Sequence, residues 1–252
     1  MKPWYETAFG SEYLDLYPHR NDEEARADVE AIIGLINPSR VEPLLDLGCG
    51  AGRHLLALCR AGFLDLTGLD LSKELLGVAC ERLRDAGCEG IDLVCCDMRR
   101  IPRGGGFGTV LSLFTTFGYF ETDAEDAAVL AAVYEALRPG GQFLLDTLSR
   151  EWTIESLVPE EEAKHRGRQV HVRRAVTDDG LRVEKVIRTL GDASNEDRVH
   201  RESVRMYSPD ELANMAGEAG FVELRICGSL SGEPHGPGSR RLVLVARKGG
   251  SG

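Results

Sequence analysis

The sequence predicts an α/β protein with a mostly parallel sheet and a small antiparallel sheet inserted toward its C-terminal end. Three observations predict it. Short apolar runs alternate with helix-period segments between residues 41 and 147. The first run ends in an acid and enters Asp46-Leu47-Gly48-Cys49-Gly50-Ala51-Gly52. Glycines there allow a sharp turn and close backbone approach to a ligand, just ahead of the free N–H groups of a helix start. After about residue 149 apolar runs follow one another directly, which implies antiparallel pairing.

Composition fits a packed globular core: of 252 residues, 42% are hydrophobic and 28% charged. The net charge of −11 argues against a nucleic-acid partner, because the chain repels a phosphate backbone. Arg166, Arg168, Arg173 and Arg174 cluster, but Glu160, Glu161, Glu162, Asp178 and Asp179 surround them, as on a solvated surface. The start lacks the order of a signal peptide, and no apolar run reaches membrane-span length. The seven cysteines are odd in number and lack a Cys-x-x-Cys pair, so neither a disulfide framework nor a metal site is expected. A cytoplasmic protein, monomeric or homodimeric, is expected.

Residues 1–20 are rich in aromatics, and a short helix is expected around 12–17. Asn21 reads as a helix N-cap with Glu24 as its partner, and Ala25, Val29, Ile32, Ile33 and Ile36 form one apolar face. Strands are expected at 41–47, 64–69, 91–95, 107–114 and 142–147. Helices between them start after the glycine loop, at the cap Ser72 and at the capping box Thr122/Glu125. Arg138-Pro139-Gly140-Gly141 reads as a turn. Beyond it, 169–177, 181–190 and 198–207 read as strands, the first two joined by the turn Asp178-Asp179-Gly180. Ser208-Pro209-Asp210-Glu211 combines a cap, an N1 proline and a capping-box acid. Strands at 221–226 and 241–246 close the fold.

The first two strands end in Asp46 and Asp70, and Asp97 follows the third, so three acids share the sheet edge where ligands bind. Asp70, about twenty residues past the glycine loop, is placed to accept from two ribose hydroxyls. Asp97 is placed to accept from an exocyclic amine such as that of adenine. A dinucleotide binder would carry Gly-x-Gly-x-x-Gly; here Gly48, Gly50 and Gly52 alternate directly. A carboxylate at Asp46 would repel a pyrophosphate and suits a cofactor with a cationic end, which points to S-adenosylmethionine.

Residues 41–147 resemble a class I S-adenosylmethionine-dependent methyltransferase. The resemblance rests on 44–52, on Gly68-Leu69-Asp70-Leu71-Ser72, on Cys96-Asp97-Met98 and on Leu137-Arg138-Pro139-Gly140-Gly141. Tyr17-Pro18-His19-Arg20, the segment 114–120 and Ser203-Val204-Arg205-Met206-Tyr207 are similar to bacterial small-molecule methyltransferases. The resemblance implies a Rossmann-like, mostly parallel seven-stranded sheet with helices on both faces. It also implies an inserted antiparallel cap over the active site. The expected division is an N-terminal helical lid (1–40), a cofactor domain (41–149 and 208–248) and a substrate-binding cap (150–207).

It further implies roles. Asp46 and the backbone of Gly48 and Gly50 would hold the methionyl part, with Tyr17 and Arg20 reaching its carboxylate. Asp70 would bind the ribose, Leu71 and Leu113 would pack on the cofactor, and Asp97 with the Met98 N–H would read the adenine edge. His19 and Tyr119 are the candidate proton acceptors; Tyr13, Phe117, His171 and Arg205 are candidates for the methyl acceptor's site. Trp4, Tyr5, Phe9 and Tyr13 fit either a lid or ordinary helix packing. Gly108 departs from the acid that many relatives carry there. No Asn/Asp-Pro-Pro-Tyr motif occurs, which lowers the expectation of base methylation. A small-molecule acceptor is the main reading. A tRNA or protein methyltransferase, or a non-catalytic cofactor-binding subunit, is the alternative.

Overall fold

The computed structural model describes residues 3–10, 21–102, 106–165, 168–191 and 197–250. Among the described residues a 3-10 turn, Trp4–Glu6, precedes helix α1, Asp22–Ile36. Asn21 caps α1 through the Glu24 N–H, and Asn37 ends it in the left-handed region. The chain then alternates: β1 (Leu44–Leu47), α2 (Arg53–Arg60), β2 (Leu66–Asp70), α3 (Lys73–Asp85), β3 (Asp92–Cys95), β4 (Phe107–Ser112), α4 (Asp123–Ala136) and β5 (Leu137–Leu148). The remaining elements are α5 (Arg150–Glu155), β6 (Glu160–His165), β7 (Arg168–Val176), β8 (Arg182–Thr189), β9 (Arg198–Arg205), α6 (Pro209–Glu218), β10 (Phe221–Cys227) and β11 (Arg241–Lys248). The helix expected around 12–17 lies outside the described residues.

Two sheets form. The larger has seven strands in the order β10-β11-β5-β4-β1-β2-β3. It is parallel except at β11, which runs antiparallel to both β5 and β10. The order reverses beside β1, between β2 and β4, and that leaves a crevice at the strands' carboxyl ends. Alternation on β1 sends Leu44 to one face and Leu45 and Leu47 to the other. The Leu44 face packs on α1, α2 and α3 through Val29, Ile32, Leu55, Leu58 and Leu83. The opposite face packs on α4 and α6 through Val129, Val133, Leu212 and Ala216. Helices therefore cover both faces, as expected.

The smaller sheet runs β6-β7-β8-β9, antiparallel throughout. Two elements of this part of the chain were not visible in sequence. Strand β6 reads Glu-Glu-Glu-Ala-Lys-His, with the charge of a solvated loop. It is an edge strand, and cross-strand pairs hold its acids: Glu160 with Arg173 and Glu161 with Arg174. The one-and-a-half-turn α5 has no buried residue and thus no hydrophobic period to detect.

Two further expectations need correction. The segment read as a turn, 138–141, lies inside β5, with Gly140 at φ +73° and a register shift between Phe107 and Thr109. Cys59 and Cys88 form a disulfide, their Cα atoms 6.2 Å apart. They lie 29 residues apart in sequence, and the packed ends of α2 and α3 bring them together. Gly108 is explained by a neighbour. A Cβ there would sit 2.5 Å from Glu42 Oε2, and Glu42 holds Arg138 Nη2 with both oxygens at 2.7 Å. The carboxylate enters from residue 42, which requires residue 108 to be bare.

Candidate active site

The carboxyl ends of β1 and β2 open into a cavity of about 340 Å³. The glycine loop forms one wall. Gly48, Gly50 and Gly52 have φ of +80°, +53° and +75°. A Cβ on Gly48 would lie 2.7 Å from Thr116 Cγ2, and one on Gly52 would lie 2.9 Å from Ala79 Cβ. The loop is thus wedged between α3 and the segment after β4, with its backbone facing the cavity.

Asp70 ties the loop to the end of β2. Its Oδ2 accepts from the Gly50 N–H and its Oδ1 from the Ser72 N–H, both at 2.8 Å. Burial raises its pKa, partly offset by those two donors. Asp70 itself lines the cavity. Leu71, Asp97, Met98, Leu113 and Tyr119 also line the cavity. Asp97 is more occupied than expected, because Arg99 donates to both its oxygens at 2.6 to 3.1 Å. Burial would raise the Asp97 carboxyl, but the Arg99 bonds outweigh it and hold the pKa below the usual value. Arg99 also pairs with Glu125 at 2.7 Å and lies 4.2 Å over the Phe120 ring.

Asp46 is 1% exposed and is not one of the residues lining the cavity. Its Oδ2 has no hydrogen-bond partner. Burial pushes its pKa up to about 6, with Asp70 adding to the rise and His54 and Arg53 opposing it. A second orphan is Arg53 Nη2, although Arg53 Nη1 holds Glu24 at 2.6 Å. Arg53 lines the cavity, 4.5 Å over the Phe114 ring. A buried acid and a buried guanidinium nitrogen, both without partners beside one loop, match the two charges of an amino-acid head group. Sequence reasoning missed Arg53; its position one residue past the last loop glycine was the available signal.

The segment after β4 forms the opposite wall. Phe114 and Thr115 have φ of +59° and +62°, a rare and strained conformation for non-glycine residues. Asp146 holds it: its Oδ2 accepts from the Phe114 N–H at 3.0 Å and its carbonyl from the Thr115 N–H. Arg241 bridges Asp146 to Asp28, which lies 3.4 Å from His54 Nε2. None of Asp28, Asp146 and Arg241 was anticipated, because the network joins three elements distant in sequence.

A second cavity, of about 430 Å³, lies between the small sheet and the large one. Phe9, Phe114 and Tyr119 line both cavities. Phe9 stacks on Tyr119 at 5.4 Å, and Trp4 meets Tyr119 edge-on at 5.0 Å. Trp152, Glu161, Arg174, Lys185 and Glu202 complete much of its lining.

Three residues expected to contact the acceptor lie elsewhere. Arg205 is 5% exposed and spans Asp123 and Glu211, with its Nη1 donating to the Met206 carbonyl at 2.6 Å. Phe117 is buried against Tyr207. His171 pairs with Glu162 at 3.2 Å and lines neither cavity. Strand parity and the closing of the small sheet onto α4 and α6 decided these positions. Tyr13, Tyr17, His19 and Arg20 lie outside the described residues. Among the described residues no group of His, Cys, Asp and Glu could hold a metal ion.

Residues 44–141 match the family described as a methyltransferase domain. A curated relative from Streptomyces venezuelae, dTDP-3-amino-3,4,6-trideoxy-alpha-D-glucopyranose N,N-dimethyltransferase, is 34% identical over 54% of this chain. The match spans 56% of that relative's length. A solved amino pentose methyltransferase from Micromonospora echinaspora, with SAM bound, is 28% identical over 94% of this chain and 96% of its own, at TM-score 0.67. A methyltransferase from Streptomyces caelestis shares the fold at TM-score 0.78 and 20% identity, over 97% of this chain and 99% of its own.

Proposed function

We propose that this chain, a class I S-adenosylmethionine-dependent methyltransferase of the bacterial small-molecule type, methylates an amine nitrogen of a small molecule. One observation carries the reading: two cavities of different construction meet at Phe9, Phe114 and Tyr119. The first has the acceptors and loop of an adenosine site, and the second is closed by the small sheet. The nitrogen is supported by the relatives' names, two of which are amino-sugar N-methyltransferases.

The residues fit the cofactor. Asp70 would take the ribose hydroxyls and Met98 the adenine edge, with Leu71 against the ring. Arg53 Nη2, buried without a partner, would take the methionyl carboxylate. Asp46 would act as a buried counter-charge to the ammonium, through its field rather than by contact. S-adenosylmethionine supplies an electrophilic methyl group on a sulfonium. The protein's work is then orientation and exclusion of water. Phe9, Phe114 and Tyr119, which line both cavities, would form the boundary across which the methyl group passes. The Tyr119 hydroxyl would orient the acceptor and take part in moving its proton.

No described helix is long and apolar enough to cross a membrane. A cytoplasmic location and a monomeric or homodimeric state complete the reading. The test is transfer of labelled methyl from S-adenosylmethionine to a panel of small amines, amino sugars among them, with hydroxyl-only analogues and tRNA as controls. Labelling of an amine alone supports the reading. Labelling of tRNA, or of hydroxyl analogues alone, overturns it.

A further inference from the structure

One side chain of the small sheet brackets Tyr119. Arg182, at the start of β8, donates from Nη1 to the Phe120 carbonyl at 3.0 Å and from Nη2 to the Gly118 carbonyl at 3.4 Å. Those two carbonyls stand on either side of Tyr119 in the chain. The same guanidinium is anchored within its own sheet. Its Nε donates to Ser203 Oγ at 3.0 Å and its Nη2 to the Ser203 carbonyl at 2.8 Å. These acceptors are neutral, three carbonyls and one hydroxyl. The side chain therefore works here by its shape, as a rigid planar fork of donors that meets several acceptors at once.

The backbone it holds is closely seated. The Gly118 carbonyl also accepts from the Arg205 N–H of β9 at 2.7 Å. Gly118 has φ +92°, and a Cβ there would lie 2.5 Å from the Arg205 carbonyl oxygen, so only glycine lets the segment come this near β9. The Tyr119 ring is set from another direction, stacked on Phe9 and met edge-on by Trp4. The small sheet thus fixes the backbone of Tyr119, and the N-terminal segment fixes its ring. Arg182 itself lines neither cavity.

We propose that Arg182 is a positioning residue for methyl transfer: it ties the backbone on both sides of Tyr119 to the small sheet, so that docking of that sheet sets where the Tyr119 hydroxyl meets the acceptor. The inference rests on reading Tyr119 as the group that orients the acceptor. Arg182 acts through Tyr119 and touches neither cofactor nor acceptor.

The first test needs no substrate. The six tyrosines are replaced by 3-fluorotyrosine, and the fluorine NMR spectrum of the protein without ligand is recorded. Tyr119→Phe and Tyr134→Phe identify two resonances by their loss. In Arg182→Gln the Tyr119 resonance is expected to shift or broaden, while that of Tyr134, packed against Phe221, stays in place. Arg182→Lys keeps the charge without the fork and is expected to match Arg182→Gln. An unchanged Tyr119 resonance in Arg182→Gln overturns the proposal. Full recovery in Arg182→Lys overturns it too, because charge rather than geometry would then be the cause. If Arg182→Gln also moves Tyr134, Ser203→Ala, which removes only the hydroxyl acceptor of Nε, decides by the same criterion.

Kinetics with an amine that wild type methylates give the second test. Arg182→Gln is expected to lower kcat by about tenfold, the scale of a small misplacement of a reacting group, with KM for S-adenosylmethionine within about twofold of wild type. In the Tyr119→Phe background the same substitution is expected to have no further effect on kcat, because no hydroxyl is left to place. Additive losses overturn the proposal and leave Arg182 as a structural tie. Wild type that methylates no amine overturns the reading of function instead, and the fluorine spectrum then decides on Arg182 alone.

Discussion

The two cavities share three aromatic side chains and are built by opposite rules. The first is made by the ends of successive parallel strands and the loops that follow them, joined by Tyr5 and Phe9. Backbone N–H groups, three left-handed glycines and acids at successive strand ends make its contacts, and each was written into local sequence. The second is assembled from the N-terminal segment, the loop after β4, α5 and four strands of a separate sheet. Its charged lining residues, Glu161, Arg174, Lys185, Glu202 and Arg240, each come from a different strand or loop. A cofactor used unchanged fixes the first design, whereas an acceptor that differs between proteins leaves the second free to vary.

That contrast can be broken most sharply at Asp70. Asp70→Ala removes the anchor of the glycine loop and both proposed ribose contacts. S-adenosylhomocysteine affinity is expected to fall by about 3 kcal/mol or more, since bonds to a charged group are worth about 1.5–3 kcal/mol each. Calorimetry that finds no change would show that the first cavity is not the adenosine site. Gly52→Val comes next. It forces a β-branched residue to φ +75° and into Ala79, at a cost of about 2–3 kcal/mol in thermal unfolding. A stability equal to wild type would mean that the loop is not wedged as described.

Arg53→Leu separates the ends of the first cavity. It is expected to weaken S-adenosylhomocysteine by about 2 kcal/mol and to leave adenosine, which lacks the amino-acid head, unchanged. Equal losses for the two ligands would remove Arg53 from the methionyl end.

Asp46 gives a pH signature. Burial raises its pKa from 3.8 to about 6, so the folded state holds this proton more tightly than the unfolded chain. Its stabilising contribution is full below about 3.8 and is lost as pH rises through about 6. Asp46→Asn is therefore expected to unfold at higher temperature than wild type at pH 8, by on the order of 1–2 kcal/mol, with the gap closing toward pH 4. Cofactor binding runs the other way. Wild-type affinity for S-adenosylhomocysteine is expected to rise with pH through about 6, and the asparagine variant to lack that rise. A flat wild-type profile would remove Asp46 as the counter-charge. The smallest effect is expected at the far end of the sheet. Gly108→Asp should cost stability, and Glu42→Ala in the same chain should restore most of it, a coupling of about 1 kcal/mol for a half-exposed ion pair. Additive effects would mean that Glu42 does not occupy the space of a residue-108 side chain.

Much of the fold was legible because its signals are local. Asn21, Ser72, Thr122 and Ser208 each cap the helix expected of them, because a cap is a contact between residues three apart. Strand β6 was not legible. Its acids favour a strand only because Arg173 and Arg174 lie across the ladder. The Cys59–Cys88 pair failed for the same reason, since spacing says nothing about which helix ends meet.

Within the site, sequence by itself determined the glycine loop, Asp70, and the edge on which Leu71, Asp97 and Met98 stand. Backbone conformation and strand ends are properties of short segments, and a parallel sheet lines them up without further information. Only the tertiary structure decided what those residues do to one another. It buried Asp46 beneath the loop, turned Arg205 from acceptor contact to strut, and gave Arg99 both oxygens of Asp97. It also set the Arg174–Lys185 rung into the second cavity. Burial, pairing and charge balance depend on which surfaces close over which. That closure is settled by packing between segments far apart in the chain.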